Sequence, residues 1–409
     1  MKVFENSSIS SIELPNRIIR SATYEGMADS DGYPRPEYID LYDRLSRSGI
    51  GCIISGCTYV SPEGKMALPG QLGIDSDDKV DALKKVTKTV HQNGSRIVMQ
   101  ISHAGRQTNR RFSEKVYGVS KKRSPYFRQK VEVLTEKKID EIADQYADAA
   151  FRAKQAGFDG VQVHAAHGYL AHQFILPSIN TRKDRFGIHP DLGIGTSFLE
   201  LVFDKIRAKC SEFPVLIKIS ASDDYPKRFN NEQFVALIRF LDSIDVDAIE
   251  ISYGSIDYSL NVFRGKSIPE DLVLKYNAKF KTKNKFLRAF YKRVIFKLVQ
   301  SKFKEFEPKY NLDHAKEAKR HTSIPIIVVG GYVHASDIFD TIENDGIDYV
   351  SLCRAFLCEE DFIGKIKANK DYIGKCKSCN KCAIMCDSEF ATRCFSNRLL
   401  VHPISSTPK

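Results

Sequence analysis

Gly160-Val161-Gln162-Val163-His164-Ala165-Ala166-His167-Gly168-Tyr169-Leu170 is the most informative run of this 409-residue sequence. Its first part is apolar and β-branched, which is typical of a buried strand. Two imidazoles and a phenol follow directly where the run ends. Side chains at a strand end of this kind can donate hydrogen bonds to an oxygen of a small molecule and a proton to one of its carbons. Histidines at a strand end can also simply satisfy backbone groups, so the interpretation depends on the rest of the chain.

Seven further apolar runs, each ended by turn or polar residues, are predicted to be strands. With the first, they are residues 17–21, 51–56, 96–101, 160–163, 215–220, 248–252, 324–329 and 349–352. Amphipathic segments of helix length separate most of them, and apolar strands alternating with helices indicate a parallel sheet covered on both faces. Eight such units predict an α/β fold, the (β/α)8 TIM barrel. A doubly wound open sheet is the alternative, but the sequence has no G-x-G-x-x-G turn to support it.

Composition narrows the class of protein. Hydrophobic residues make up 42% and charged residues 28% of the chain, which is typical of a soluble globular protein. No apolar run is long enough to span a bilayer, and no apolar segment of a signal peptide follows Met1. We therefore expect no transmembrane segment and a cytoplasmic location.

The net charge of +11 is concentrated in one segment. Eleven Lys or Arg residues and no Asp or Glu lie between Lys275 and Lys304, with apolar residues at helical spacing among them. We expect a basic helical insertion after the sixth strand, at 262–320, in a barrel spanning 1–365. Either a solvated amphipathic helix or a helix at an anionic membrane surface fits this pattern. Nucleic-acid binding is not expected, because no recognition fold surrounds the basic residues.

Barrel active sites lie at the carboxyl ends of the strands, and the residues there are chemically coherent. The loops after strands seven and eight usually bind phosphate. Here they carry Gly330 and Gly331, whose lack of a side chain lets backbone N–H groups come close to an anion. They also carry Arg354, whose guanidinium can donate two parallel hydrogen bonds to phosphate oxygens. With Gln100 at the end of the third strand and Lys218 on the fifth, the set suits an aromatic heterocycle with a phosphate tail.

The motifs 16–19, 100–106, 156–170 and 328–331 resemble the old yellow enzyme family of FMN-dependent NAD(P)H oxidoreductases. The resemblance covers about residues 1–365 and implies the barrel, FMN as cofactor and NADH or NADPH as reductant. It implies that Gln100 binds the flavin pyrimidine edge and that Lys218 lies near the flavin N1 and C2 carbonyl. The full expected cofactor-binding set is Thr23, Tyr24, Cys57, Gln100, Lys218, Gly330, Gly331, Cys353 and Arg354.

The resemblance also implies a catalytic group. His164 and His167 would hold a substrate carbonyl oxygen, and Tyr169 would protonate the α-carbon after hydride transfer from flavin N5 to the β-carbon. The expected substrate is an electron-poor alkene such as an enone. Two alternatives are a subunit similar to dienoyl-CoA reductase and an electron-transfer protein that docks an acidic redox partner through its basic face. The oligomeric state is open between a monomer and a homo-oligomer.

A Cys-rich C-terminal segment is expected at 366–409. Its cysteines have the spacing C-x2-C-x2-C-x3-C with a fifth after seven more residues, which is typical of metal sites. They are Cys376, Cys379, Cys382, Cys386 and Cys394. The segment is similar to the [4Fe-4S] region of 2,4-dienoyl-CoA reductase, although the spacing differs between the second and third cysteines. A [4Fe-4S] cluster, a zinc ion and metal-free thiols remain three alternatives.

Overall fold

Eight parallel strands form the centre of the fold. The computed structural model describes residues 1–277 and 280–396. The strands, labelled β1 to β8 in chain order, are Ile18–Arg20, Cys52–Ile54, Arg96–Ser102, Gly160–Ala165, Val215–Ser220, Ala248–Ser252, Ile326–Val329 and Tyr349–Leu352. All eight predicted strands are present, with ends that differ from the prediction by a few residues.

The strands close on themselves. Each pairs with its neighbour in sequence, β8 pairs with β1, and β2 pairs directly with β3, so the ring is complete. This closure confirms the TIM barrel and rules out the open doubly wound sheet. The register places Gln100 opposite Gln162, and Lys218 opposite both His164 and Glu250. Polar side chains of four adjacent strands therefore lie at similar heights inside the barrel.

One helix of the outer ring follows each strand. The helices, labelled α1 to α8, are Pro36–Arg47, Val80–Gln92, Glu136–Gln155, Ser197–Lys209, Asn231–Ser243, Leu312–Lys319, Ala335–Glu343 and Phe362–Ala368. Local signals set their ends. Thr135 caps α3 by accepting from the Lys138 backbone N–H, and Asn230 with Gln233 forms a capping box at α5. Just beyond α3, Gly157 has a φ of 83°, as glycine after a helix end commonly does.

The core lies between the strands and these helices. Apolar faces of the outer helices, such as Ile139, Ile142 and Tyr146 of α3, are fully buried against the sheet. A smaller apolar cluster joins strand residues to Ile9 and Ile12 of a short antiparallel hairpin, which is formed by Ser7–Ile9 and Ile12–Leu14. Among the described residues, no helix has the length and apolarity needed to cross a membrane.

Two additions pack at the carboxyl ends of the barrel strands. After β6 the chain forms short helices, which are Ser259–Phe263, Glu270–Tyr276, Lys285–Phe290, the π-helical Tyr291–Ile295 and Phe296–Gln300, before α6. After α8 the chain forms the short helix Lys381–Met385. The two additions share a small apolar cluster in which Ile384 of the C-terminal segment packs against the insertion residues Val273 and Phe296.

Candidate active site

A cavity of about 340 Å³ opens at the carboxyl ends of the strands. Its volume falls within the range of small-molecule sites. The structure brings all the predicted catalytic and cofactor-binding residues to its walls. They are Thr23, Tyr24, Cys57, Gln100, His164, His167, Tyr169, Lys218, Gly330, Gly331, Cys353 and Arg354. We call this space the barrel cavity.

A buried carboxylate organises the floor of the barrel cavity. Glu250 of β6 is fully buried, and its Oε1 lies 3.3 Å from the Lys218 Nζ. The hydroxyls of Ser21 and Ser351 donate to the same oxygen at 2.6 and 2.7 Å. Burial alone would raise the pKa of Glu250, but Lys218 and these hydrogen bonds lower it below its usual value. The pair is thus a satisfied ion pair within the barrel.

The same carboxylate fixes the orientation of two amides. Gln162 Nε2 donates to Glu250 Oε2 at 2.9 Å, and Gln100 Nε2 donates to Gln162 Oε1 at 2.7 Å. Because a carboxylate can only accept, Gln162 must present its amino group to Glu250 and its oxygen to Gln100. Gln100 is therefore held with its own carbonyl oxygen directed away from Gln162. Sequence patterns gave no signal for Gln162 or Glu250, since both appear as isolated polar residues in apolar strands.

Three aromatic groups meet at the end of β4. The ring of His164 lies 5.1 Å from that of His167 and 5.0 Å from that of Tyr169, measured between centroids. His167 Nε2 is 2.8 Å from the Ser252 hydroxyl, whereas the buried Nδ1 of His164 has no hydrogen-bond partner among the described residues. An unpaired buried nitrogen on a cavity wall is the position at which a bound polar group is expected.

The backbone at this turn is unusual. His167 has a φ of 60° and Gly168 a φ of 80°, which is the left-handed region. The His167 N–H donates to Ser220 Oγ at 3.1 Å, and the His167 carbonyl accepts from the Ile256 N–H at 2.8 Å. A Cβ on Gly168 would lie 2.3 Å from Ser255 Oγ. The turn that separates the two imidazoles is therefore held by β5 and by the segment after β6.

Burial keeps all three groups neutral. Desolvation, reinforced by the nearby Lys218 charge, lowers the pKa of His164 well below its usual value, and burial with the neighbouring His164 does the same for His167. Burial raises the pKa of Tyr169 well above its usual value. At neutral pH the site therefore presents two uncharged imidazoles and a protonated phenol.

The glycine pair after β7 has a packing role as well as a place on the cavity wall. Gly330 and Gly331 have φ values of 128° and 83°. A Cβ on Gly331 would lie 2.4 Å from the carbonyl oxygen of Glu307. Arg354 lies at the same end of the cavity and donates to the Arg264 carbonyl at 3.0 Å. The glycines are required by the chain behind the loop, a reason that the sequence did not reveal.

The insertion and the C-terminal segment add walls that sequence analysis did not predict. Phe280, Ile295 and Phe296 line the barrel cavity from the insertion, and Cys386 and Asp387 line it from the C-terminal segment. Burial raises the pKa of Asp387 to about 6 and that of Cys386 to about 12. These contacts join segments far apart in sequence, so no local pattern could indicate them.

The structure separates the five C-terminal cysteines. Four of them line a second, smaller cavity together with Cys358 of the helix Arg354–Cys358, whereas Cys386 lines only the barrel cavity. The four are Cys376, Cys379, Cys382 and Cys394. Within residues 1–277 and 280–396, no group of three or more His, Cys, Asp or Glu side chains could hold a metal ion. As placed, the thiols do not fit a metal.

The model of the family described as "NADH:flavin oxidoreductase / NADH oxidase family" matches residues 2–260, well over half of the chain. The chain belongs to this family. FMN and NAD(P)H are accordingly its cofactors, as the resemblance predicted. The groups on the cavity wall fit FMN, since the wall offers an oriented amide, a buried cation and an arginine beside a glycine loop.

Two curated relatives differ in how much of their length this family member covers. It is 28% identical to the NADH oxidase of Thermoanaerobacter brockii over 384 residues, which span 92% of this chain and 52% of that protein. The chain thus covers about half the length of that relative. It is 27% identical to the 4,4'-dithiodibutanoate disulfide reductase of Rhodococcus erythropolis over 419 residues, spanning 98% of this chain and 96% of that one.

Among solved structures, the old yellow enzyme homologue from Zymomonas mobilis superimposes with a TM-score of 0.70. The match covers 92% of this chain and 94% of that one at 22% identity. At this level of identity the similarity supports the barrel fold, and it carries no inference about substrate.

Proposed function

We propose that this protein uses NADH or NADPH and FMN to reduce the carbon–carbon double bond of an electron-poor alkene, such as an enone. The observation that supports the proposal best is the cluster of His164, His167 and Tyr169 on one wall of the barrel cavity, where burial favours their uncharged forms. Bound FMN supplies hydride transfer between nicotinamide and substrate. An electron carrier would have no use for such a group.

The side chains have distinct roles in this proposal. The unpaired Nδ1 of His164 and the imidazole of His167 bind the substrate carbonyl oxygen and polarise the alkene; such donors typically contribute about 3 kcal/mol each in the transition state. Tyr169 holds the proton that the α-carbon receives. Lys218 and Gln100, both held by the Glu250 network, bind the flavin ring.

Further residues complete the proposed cofactor site. Backbone groups of Gly330 and Gly331 and the guanidinium of Arg354 bind the FMN phosphate, and Cys353 lies beside them. Thr23, Tyr24 and Cys57 line the same cavity and would contact the ring. In the proposed domain organisation, residues 1–365 form the FMN-binding barrel with an insertion at 262–320, and residues 366–409 form the Cys-rich segment. As placed in the described part of the chain, its cysteines form no metal-binding group, so we favour metal-free thiols over a [4Fe-4S] cluster or zinc, and iron, sulfide and zinc assays of the purified protein test this choice.

The test measures steady-state reduction of cyclohexenone and of a crotonyl thioester with NADH and with NADPH, in the wild type and in Tyr169→Phe. Loss of the phenol should slow alkene reduction about 10²- to 10⁴-fold, whereas NAD(P)H oxidation with ferricyanide as acceptor should be unchanged. Tyr117→Phe, outside the barrel cavity, is the matched control. Full alkene turnover by Tyr169→Phe would exclude the proton-donor role.

A second candidate is reduction of an organic disulfide. It is supported by the disulfide reductase of Rhodococcus erythropolis, which this chain matches over nearly the whole length of both proteins. Two electrons and one proton convert a disulfide to a thiol and a thiolate. Because a thiolate is a stable leaving group, this reaction does not need Tyr169 as a proton donor. Tyr169→Phe should therefore keep activity on 4,4'-dithiodibutanoate. Turnover of this disulfide without turnover of any enone would favour the second candidate.

A further inference from the structure

The insertion exposes a continuous apolar stripe. In the helical run from Lys285 to Gln300, Phe286, Phe290, Val294 and Leu298 follow one another at intervals of four residues. Phe286 is 89% exposed, and Leu298 is 61% exposed. Aromatic and aliphatic side chains at this spacing share one face of a helix, here about 24 Å long. Most other large apolar side chains of the described residues are buried, so the stripe is distinctive.

Exposed cations lie along the same part of the chain as the stripe. They are Lys275, Lys281, Lys283, Lys285, Arg293, Lys297 and Lys302. Asp and Glu are absent from the sequence between Lys275 and Lys304, and the nearby Asp271 is paired with Arg288 and Lys292. The surface therefore combines exposed apolar side chains with a high local positive charge. A partner that binds it must offer negative charge and an apolar layer into which these side chains can insert.

The type of cation distinguishes between two partners. Protein interfaces are enriched in Arg and depleted of Lys, yet six of the seven exposed cations here are Lys. An anionic lipid surface attracts Lys and Arg about equally well, and it also accepts Phe and Leu side chains at the boundary between headgroups and acyl chains. The composition of the stripe matches the lipid surface better.

The same helical run also reaches the active site. Ile295, Phe296 and Val299 line the barrel cavity, while the stripe faces outward from the same run. A membrane that bound the stripe would lie next to the wall of the cavity. Apolar substrates dissolved in the lipid would then be close to the site.

We propose that the stripe, formed by Phe286, Phe290, Val294 and Leu298, docks the protein reversibly on an anionic membrane surface with the help of the exposed cations along the same part of the chain. The docking does not depend on which substrate the barrel cavity takes. The helical run lies in the interface, with Phe286, Phe290 and Leu298 inserted among the lipids and the lysines at the headgroups.

The test is co-sedimentation of the FMN-loaded full chain with vesicles of pure phosphatidylcholine and with vesicles of equal parts phosphatidylcholine and phosphatidylglycerol. Binding should occur on the anionic vesicles and fall as salt is added. Lys283→Gln with Lys285→Gln should weaken binding by an order of magnitude or more, since each cation contributes about fivefold. Phe286→Ser should weaken it about tenfold, through loss of the inserted ring.

Matched variants at other exposed positions separate docking from general charge or hydrophobicity. Lys85→Gln with Lys88→Gln removes two exposed cations from α2, and Ile373→Ser removes a side chain that is 71% exposed. Both should bind the anionic vesicles as the wild type does. Equal binding to both kinds of vesicle, or to neither, would overturn the proposal. Concentration-dependent dimers that Phe286→Ser disrupts, with no vesicle binding, would instead assign the stripe to a second copy of the chain.

Discussion

Replacement of Glu250 by Gln tests the buried network most directly. The carboxylate lies 3.3 Å from the Lys218 Nζ, and at an effective dielectric near 20 this separation corresponds to an attraction of about 5 kcal/mol. Removing one partner of a buried pair leaves the other charge uncompensated, so we expect the free energy of unfolding to fall by about 3–5 kcal/mol. The substitution also adds an NH₂ donor where Gln162 or Lys218 already donates, which disturbs the orientation of Gln100.

The assay is urea unfolding of the apoprotein followed by far-UV circular dichroism, because FMN binding would otherwise add to the measured stability. The double variant Glu250→Gln with Lys218→Met removes both charges and should recover part of the loss, since neither is then left alone in the barrel. A single-variant loss below about 1 kcal/mol, or a double variant as unstable as the sum of the two single variants, would refute the view that the pair depends on mutual compensation.

Three further predictions concern separate parts of the molecule. Because the pKa values of His164 and His167 lie well below, and that of Tyr169 well above, their usual values, kcat for enone reduction should stay constant between about pH 7 and pH 9; a step in this range that His164→Asn removes would contradict it. Burial raises the pKa of Asp387 to about 6, so the folded wild type loses the stability of the protonated carboxyl as pH rises through that value. Asn at this position does not titrate. The stability of Asp387→Asn relative to wild type should therefore increase by about 3 kcal/mol or less from about pH 4 to about pH 7, as measured by thermal unfolding at these two pH values. Gly331→Ala should cost about 2 kcal/mol or more, since its φ is positive and its Cβ would meet Glu307, whereas Gly364→Ala within α8, with no atom nearby, should be neutral or slightly stabilising in the same unfolding assay.

The barrel was predictable because each of its units has a local signature. An apolar run such as 215–220 is recognisable without knowledge of its neighbours, and a helix such as α3 carries its own capping residue and apolar face. Eight repeats of one strand and one helix then leave few arrangements. The exact ends were less predictable, as at β7, because an apolar residue such as Ile324 can precede a strand without belonging to it.

The wall of the barrel cavity was predictable for a related reason. Parallel strands bring their carboxyl ends together, so residues that follow different strands, such as His164 and Arg354, were expected to meet. The orientation of Gln100 was not predictable. It depends on Glu250, which lies far along the chain and reaches Gln100 only through Gln162.

The sequence by itself determined the barrel, the family and the residues at the strand ends, since these depend on periodicity and on motifs that follow single strands. Tertiary structure decided the rest. It placed Glu250 within 3.3 Å of Lys218, brought Cys386 and Asp387 of the C-terminal segment to the barrel cavity, and left Phe286 facing outward. The physical reason is that burial and pairing arise from contacts between distant segments. The contribution of each charged or apolar group to stability depends on whether those contacts exclude water from it.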